Sequence, residues 1–526
     1  MGIITFLSFT LLVAVISYFS TRKTDEKSST GYFLGGRSLT APVIAGSLLL
    51  TNLSTEQIVG LNGQAFSEGI LVMAWETLAA IAMVVTALYL LPRYLKEGLT
   101  TIPQFLEKRY DVNTKSITSG LFLTGYVVVL LPIVLYSGSL AISTIFDIPG
   151  LLQVDKTIAL WITVFSIGII GSVYAIFGGL KAVAVSDTIN AVGLLIGGSM
   201  IPVLGLMLIG DGNIIEGFTT LFEANKDKFT SIGNEDSSIP FSTIFTGMML
   251  VQLFYWGTNQ AIIQRALGAK NLKEGQKGMM LAAFIKVLGP ILVVLPGIIA
   301  FHLYGDSITN PDEAYPTLVK KVLPLSMVGF FAAVLFGAIL SSFNSALNSS
   351  VTLFGIDIYK EYINKGASEI QVVKAGKLFG VGLAFLSMFI APLIANAPSG
   401  LFGYLQQVNG CYTIPILTII IVGYLTKKIP AIAAKIAIVS GAVIYLIYVV
   451  LDNTILKNTF PHFLHVQGFL FLLNVLIMIL IGKLYPRKEA FQIEYTREVD
   501  IKPYKYAIPV GLLICILVIS IYLVFS

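Results

Sequence analysis

Four ionisable side chains lie within, or at the start of, long apolar stretches of the sequence: Glu56, Glu76, Asp187 and Lys286. An ionisable group at the centre of a bilayer costs about 2.5–3.5 kcal/mol on the insertion scale, so such groups persist where they face a cavity, a partner or an ion path. Glu76 and Lys286 together carry no net charge, which favours a neutral, hydrogen-bonding ligand. The alternative is that these residues form structural ion pairs between helices. An anionic ligand would favour an arginine fork, and no arginine lies within an apolar segment.

Two polar runs interrupt apolar stretches. Residues 51–57 (TNLSTEQ) contain one aliphatic residue in seven, and residues 255–260 (YWGTNQ) form a comparable interruption. Unwound backbone at membrane depth is tolerated where it is buried in protein or lines a wet cavity. Discontinuous helices of this kind hold solute and ion in secondary transporters. The two runs therefore predict a pair of broken membrane helices with a binding site between them.

A third polar stretch, residues 341–349 (SSFNSALNS), places its serines and asparagines on one face of a helix. Small polar residues also promote close helix packing, which is the alternative explanation. If the stripe faces the unwound residues 51–57, hydroxyls and free carbonyls can together surround a cation. Such a site contains no carboxylate, so it suits a monovalent ion better than Ca²⁺ or Mg²⁺.

The elements that position these residues are apolar helices. Of the 526 residues, 56% are apolar and 12% are charged, whereas soluble domains have about 45–50% apolar and about 25% charged residues. A membrane-spanning helix needs about 20 apolar residues. We count fourteen such runs, at residues 1–20, 41–66, 70–92, 117–145, 157–177, 186–210, 241–264, 278–303, 323–356, 371–395, 400–425, 430–451, 464–482 and 506–525. The sequence therefore predicts an all-α polytopic membrane protein.

Composition and spacing exclude several functional classes. The two cysteines and three histidines show neither a CxxC nor an HExxH pattern, and a nucleophile–base pair within a segment is also missing, so an enzyme is not expected. A net charge of +5 without a basic cluster gives no indication of nucleic-acid binding. The lipid bilayer is the expected partner, and the oligomeric state stays open.

The distribution of basic residues predicts the topology. With the N-terminus outside, 27 of the 34 Lys and Arg residues fall in alternate loops that become cytoplasmic, as the positive-inside rule requires. We therefore expect both termini outside the cell membrane, and we expect the first run to be a retained helix because it lacks a basic start. The two polar interruptions lie in segments 2 and 7, so segments 2–6 and 7–11 run in opposite directions, as in an inverted repeat.

Three parts of the chain follow from this arrangement. Residues 1–40 should form a peripheral first helix and loop, and residues 41–426 should form a five-plus-five inverted-repeat (LeuT-like) core. Residues 427–526 should form three peripheral C-terminal helices.

Four stretches resemble the signatures of the solute:sodium symporter family, and within it the sodium/glucose cotransporter branch. They are GSLLLTNLSTEQIVGLNG, FYWGTNQAIIQRALGAKNLKEGQKG, AILSSFNSALNSSVTLFGIDIYKEYI and YAIFGGLKAVAVSD. The resemblance covers essentially the whole chain and is strongest to bacterial sodium/galactose transporters. It implies the same fourteen-helix fold with an inverted-repeat core.

The resemblance also implies site residues. The sodium site would comprise the backbone carbonyls of Leu50, Leu53 and Ala338 and the hydroxyls of Ser341 and Ser342. The sugar site would comprise Gln57, Glu76, Gln252, Tyr255, Lys286 and Gln406, with Tyr255 stacking on the sugar as the inner gate and Leu61 and Phe402 as the outer gate. A second sodium site would comprise Asp187, Ser341, Asn344 and Ser345.

Some positions depart from the pattern of the galactose transporters. Gln252 and Leu130 both stand where an asparagine is expected, Leu61 replaces a methionine, and Asn344 replaces a serine. The departures at Gln252 and Leu130 leave the identity of the sugar open.

The sequence and the resemblance together predict a sodium-coupled symporter that imports a neutral, galactose- or glucose-like hexose by alternating access. Amides, a carboxylate and a lysine match the hydroxyls of a sugar, and an aromatic ring covers its apolar face. Two alternatives stay open. One is a symporter for another polyol or solute, such as myo-inositol or sialic acid. The other is a sodium-independent sugar facilitator or sensor.

Overall fold

The computed structural model describes residues 2–22, 28–396, 401–456 and 459–526, and all regular elements in these ranges are helical. The first half of the chain forms α1 (Gly2–Thr21), α2 (Ser29–Leu34), α3 (Ala41–Asn52), α4 (Thr55–Glu68), α5 (Ala74–Val85), α6 (Leu91–Lys96), α7 (Ile102–Arg109), α8 (Val112–Gly125), α9 (Leu131–Phe146), α10 (Ile148–Leu152), α11 (Lys156–Ile209) and α12 (Ile214–Ala224). The second half forms α13 (Gly247–Gly257), α14 (Gln260–Leu267), α15 (Leu272–Val287), α16 (Gly289–Val293), α17 (Leu295–Tyr304), α18 (Ala314–Val322), α19 (Leu325–Leu353), α20 (Glu369–Ile390), α21 (Leu401–Leu425), α22 (Ala431–Asn453), α23 (Phe463–Leu484) and α24 (Ala507–Val524). The predicted all-α fold is confirmed.

By length and apolar composition, 11 helical stretches in the described ranges can cross a membrane, or 12 when the bent pair Leu272–Val287 and Gly289–Tyr304 counts as one span. The protein is therefore a multi-pass membrane protein. The predicted count of fourteen stays a prediction. The seventh predicted segment is broken into two halves that are each too short to count, and the second and third predicted segments share one helical stretch, residues 55–96.

That long stretch reverses direction at Gly69. This residue has a φ of +83°, a conformation that glycine adopts without a Cβ penalty. α4, before the turn, packs against α17, whereas α5, after it, packs against α15. Gln57 near the start of α4 donates to Glu76 near the start of α5 at 2.6 Å, whereas 19 residues of continuous helix would separate them by about 28 Å, so the chain folds back between them. Gly179 (φ +58°) likewise interrupts α11 and divides it into two spans, Lys156–Ile176 and Gly179–Ile209.

The first predicted break is confirmed. α3 ends at Asn52, Leu53 leaves the helical region with a ψ of +55°, and α4 starts at Thr55. Ser54 has extended backbone and makes no side-chain cap hydrogen bond. The break therefore leaves the last carbonyls of α3 and the first amides of α4 without intrahelical partners.

The second predicted break is confirmed as well. α13 ends at Gly257 and α14 starts at Gln260. Asn259 caps α14, because its side chain accepts a hydrogen bond from the amide of Ala261 at 3.0 Å. This side-chain cap fixes the second break more firmly than the first, where Ser54 makes no cap hydrogen bond.

The broken helices sit in the interior of the bundle. In the helical stretch that contains α4 and α5, 89% of the most apolar window is buried, against 17% for Ile4–Thr21 and 22% for Ala507–Val524. The outer helices thus present apolar side chains to lipid, and the central ones pack on one another. The predicted division at residues 40 and 426 remains a prediction.

Candidate functional site

A cavity of about 60 Å³ lies between the two broken helices. Five parts of the chain line it: the first break, the start of α5, the residue before α9, the end of α13 and the first half of α21. The lining residues include Glu56, Gln57, Trp75, Leu130, Gln252, Tyr255, Trp256 and Gln406. Amides, a carboxylate and aromatic rings therefore converge on one small space, which is typical of a site for a polar solute.

Glu76 and Lys286 form a fully buried salt bridge beside this cavity. The Nζ atom of Lys286 lies 2.7 Å and 2.6 Å from the two carboxylate oxygens of Glu76, and the side chains are 1% and 0% exposed. Gln57 donates to Oε1 of Glu76 at 2.6 Å. Because Gln57 lines the cavity, the ion pair is connected to it through that amide.

The bend of the eighth predicted segment makes room for this pair. Gly289 is the first residue of α16, and a Cβ atom there would lie 2.3 Å from Oε2 of Glu76. A larger residue at this position would therefore displace the carboxylate from its place beside Lys286. The Nζ atom of Lys286 also lies 5.6 Å from the ring centroid of Trp256, within the range of a cation–π interaction.

In this conformation, both polar atoms of the Gln252 side chain form hydrogen bonds within the protein. Its amide donates to the carbonyl of Trp75 at 2.9 Å and accepts from Nε1 of Trp256 at 3.2 Å. It thus holds two tryptophans of the cavity wall together. Its extra methylene relative to asparagine gives it the reach to do so.

The predicted gate residues lie in different places. Tyr255, the predicted inner gate, is half-buried and lines the cavity. Gln406 of the predicted sugar site and Leu130 are also half-buried and line it. Leu61 is fully buried in an apolar cluster and is not among the described residues that line the cavity. The side chain of Phe402 lies outside the described residues. The gating roles of all three predicted gate residues stay predictions.

A larger cavity, of about 620 Å³, lies next to the small one, and we call it the vestibule. The two share walls on α4 and α21, because Gly60 and Gln407 line the vestibule whereas Gln57 and Gln406 line the small cavity. His462 also lines the vestibule, and burial beside His465 lowers its pKa to about 4, so it stays neutral at physiological pH. The charged side chains that line the vestibule are therefore acidic: Glu68, Asp312 and Asp452.

On the opposite side of the small cavity, side chains tie α14 to its neighbours. Gln264 donates to the carbonyl of Phe33 at 2.7 Å and accepts from Ser349 at 2.8 Å. Gln260 accepts from the amide of Ile102 at 2.9 Å. The structure thus has a wide vestibule on one side of the cavity and a hydrogen-bonded seal on the other.

The predicted sodium ligands are brought to the first break. Ser342 of α19 donates to the carbonyl of Thr51 at 2.8 Å, and the hydroxyl of Thr51 lies 3.4 Å from that of Ser341. Leu50 and Leu53 lie at the end of α3, where carbonyls lack intrahelical partners. Ala338 precedes Ser341 and Ser342 by one helical turn, on the same face.

Two residues of the predicted second sodium site, Asp187 and Ser345, are linked to the buried guanidinium of Arg265. Asp187 accepts from Ser47 at 2.6 Å, and Nε of Arg265 donates to the same hydroxyl at 3.1 Å. Arg265 also donates to Ser345 and is 1% exposed. Asn344 is buried, and its Oδ1 atom has no hydrogen-bond partner among the described residues.

Arg265 corrects one expectation. The sequence places it in a loop after residue 264, but α14 extends to Leu267 and Arg265 is buried within it. The expectation that Arg265 lies in a loop was therefore wrong. Arg265 is not among the described residues that line the cavity.

Sequence reasoning also missed contacts at the second break. Tyr126 donates to Oδ1 of Asn259 at 2.6 Å and accepts from the amide of Ala261 at 3.0 Å. These two hydrogen bonds hold the first turn of α14 against Tyr126. Asn259 lies in the polar run 255–260, which is a signal for its role, whereas Tyr126 lies in an apolar run without one.

Comparison with known proteins is consistent with this geometry. The sequence profile of the sodium:solute symporter family matches residues 32–441. The chain belongs to this family. It is a transporter of the symporter class rather than an enzyme, and the predicted family resemblance is confirmed.

Two curated relatives and one solved structure illustrate the relationship. The uncharacterized symporter YidK of Escherichia coli is 50% identical, over 96% of this chain and 87% of YidK. The sodium/glucose cotransporter of Vibrio parahaemolyticus is 34% identical, over 80% of this chain and 79% of that protein. A Na⁺-coupled sialic acid symporter, solved in a substrate-bound outward-open state, superposes with a TM-score of 0.77 at 19% identity, covering 93% of this chain and 99% of the other. At that identity the superposition shows the fold, and it confirms the LeuT-like fold class.

Proposed function

We propose that the protein is a sodium-driven importer of a neutral hexose or a closely related polyol across the cell membrane. One observation carries the proposal. Gln57, Glu76 and Lys286 form a connected polar cluster of zero net charge, next to a cavity between two broken helices. Such a cluster offers donors and acceptors for hydroxyls without favouring a charged ligand.

The sugar site of this proposal comprises Gln57, Glu76, Gln252, Tyr255, Lys286 and Gln406. The cavity of about 60 Å³ is several times smaller than the roughly 300–1,000 Å³ of a typical small-molecule site. A hexose therefore binds when the vestibule side widens the cavity. Tyr255, on the wall formed by α13, then covers the sugar ring and closes the way to the sealed side.

The sodium site comprises the carbonyls of Leu50, Leu53 and Ala338 and the hydroxyls of Ser341 and Ser342. Its support is the hydrogen bonding between the first break and α19. A cation that joins α3 to α19 also pre-organises α4, and with it Gln57, for the sugar. A second sodium at Asp187, Ser341, Asn344 and Ser345 is part of the proposal, with Arg265 as its fixed neighbour.

The vestibule faces the outside in this proposal, and both termini are also outside. The positive-inside distribution of Lys and Arg supports that orientation. Tags at each terminus, tested for antibody access in intact cells, check it. Staining that requires permeabilised cells would contradict the orientation.

Uptake into proteoliposomes tests the function. Labelled galactose, glucose and myo-inositol are offered with external sodium or with choline in its place. We expect uptake of at least one of these solutes with sodium, and uptake near background with choline. Equal uptake in both media would favour the sodium-independent facilitator, and binding without uptake would favour a sensor.

A further inference from the structure

A second carboxylate faces the cavity without a counter-ion. Glu56 lies in the first turn of α4, directly after the first break, and lines the cavity beside Gln57. It is 7% exposed, and its Oε2 atom has no hydrogen-bond partner among the described residues. Groups near this carboxylate include the hydroxyl of Ser54, its own backbone amide and the hydroxyl of Tyr255.

The carboxylate of Glu76, unlike that of Glu56, is fully hydrogen-bonded. Its carboxylate accepts three hydrogen bonds, two from Lys286 and one from Gln57. None of the five salt bridges between described residues includes Glu56. A buried acceptor without a partner costs about 1–3 kcal/mol, and more when it is charged. A donor supplied by a ligand in the cavity would remove that cost.

The charge of the site also depends on Glu56. Glu76 and Lys286 cancel each other, and thus an ionised Glu56 leaves one negative charge at the cavity. Like charges within about 4–6 Å disfavour each other strongly in a buried site. The cavity therefore favours ligands that present donors, such as hydroxyl or ammonium groups, and disfavours ligands that carry a carboxylate.

We propose that Glu56 is a specificity-determining residue, whose free carboxylate oxygen accepts a hydrogen bond from a hydroxyl of the transported sugar and excludes acidic sugars. This inference rests on the proposed function. It deepens that proposal by naming neutral hydroxylated sugars as the accepted class and uronic acids as the rejected class. It also adds a ligand-contacting residue that the predicted sugar site lacks.

The test compares binding of D-galactose and D-galacturonate to the purified full-length protein, with and without sodium. Trp75 and Trp256 line the cavity, and so intrinsic fluorescence reports occupancy. The variants are Glu56→Gln, which keeps the shape and removes the charge, and Glu56→Asp, which keeps the charge. Glu313→Gln is the matched control, because Glu313 is exposed.

We expect the wild type, Glu56→Asp and Glu313→Gln to bind galactose at least tenfold more tightly than galacturonate. Glu56→Gln should lose most of that preference and should bind galactose about tenfold more weakly than the wild type. Deoxy analogues then identify the hydroxyl: the analogue that lacks it binds the wild type and Glu56→Gln equally.

An unchanged galactose-to-galacturonate ratio in Glu56→Gln would overturn the inference. So would a preference lost in Glu56→Asp despite its retained charge. Sodium-independent binding with a changed ratio would contradict the coupling in the proposed function, while it would support the role of Glu56. The two proposals therefore fail by different results.

Discussion

Two buried ionic groups in this protein differ in what they connect to. The salt bridge between Glu76 and Lys286 reaches the cavity through Gln57. Asp187 and Arg265 are linked through Ser47, and Arg265 reaches the serine stripe of α19 through Ser345. A buried charge is thus not in itself a sign of a solute site. In the proposed function, the first pair serves the solute and the second serves the cation.

The arrangement also separates two kinds of energetic effect. Removing one partner of a buried ion pair leaves the other uncompensated, at a cost of about 3–5 kcal/mol. At the salt bridge between Glu76 and Lys286 that cost should appear in stability and in sugar binding. Asp187 and Arg265 meet through Ser47 rather than in a direct salt bridge, so a smaller cost should appear there, in folding and in sodium dependence. Variants of these residues and of their neighbours should therefore affect sugar binding and sodium dependence separately.

The largest effect is expected for Lys286→Ala. It leaves Glu76 charged and buried beside the cavity, so sugar affinity should fall by a factor of ten or more. Gln406→Ala should weaken sugar binding as well, because its amide lines the cavity, while sodium binding should be little altered. Equilibrium binding to purified variants of equal expression measures both. Wild-type sugar affinity in both variants would mean that these residues are structural.

The second pair should respond differently. Arg265→Gln removes the hydrogen bonds from the guanidinium to Ser47 and Ser345, so the protein should lose about 1–3 kcal/mol of stability and should show a lower melting temperature. The folded fraction should still prefer the same sugar over its competitors. The double variant Asp187→Asn with Arg265→Gln is the control, and it should recover much of the stability. A changed sugar preference in either variant would contradict the claim that Asp187 and Arg265 act on folding and sodium dependence rather than on the solute.

A smaller effect is expected at the sodium ligands. Ser342→Ala removes a hydroxyl at the first break, and therefore the sodium concentration for half-maximal uptake should rise severalfold. Sugar affinity at saturating sodium should stay close to that of the wild type. Uptake measured across a sodium series gives both values. If sugar affinity falls at saturating sodium while the sodium dependence is unchanged, Ser342 belongs to the sugar site instead.

The smallest effect is expected for Tyr255→Phe. The ring is kept and the hydroxyl is lost, so transport should fall by about twofold or less. Tyr255→Ala loses the ring, and bound sugar should be released faster. Dissociation rates of labelled sugar distinguish the two variants. Equal rates in the alanine variant and the wild type would mean that the ring is only packing.

Some of this organisation could be predicted from the sequence because it depends on local composition. The polar run 51–57 cannot face lipid, and so it predicts the break that the structure has at Leu53 and Ser54. Residues 255–260 predict the second break in the same way. The serine stripe and its position on one face of α19 follow from helical spacing.

Other features depend on which side chains meet in three dimensions. The sequence contains two acids and one lysine at membrane depth, but spacing does not show that Lys286 pairs with Glu76 and leaves Glu56 free. Arg265 follows the apolar run, and its burial depends on the packing of α14 against α3 and α19. The number of spans differs because the second and third predicted segments share the helical stretch 55–96 and because the halves of the seventh segment are each short.

Sodium-driven accumulation of sugar tests the central claim most directly. Proteoliposomes carry an inward sodium gradient and a potential that is negative inside, and labelled sugar and current are followed together. One Na⁺ moving through 100 mV contributes about 2.3 kcal/mol, and a tenfold gradient adds about 1.4 kcal/mol. We predict inward current during uptake and accumulation well above the external concentration, up to roughly 500-fold for one ion. Uptake that stops at the external concentration, without current, would contradict the account.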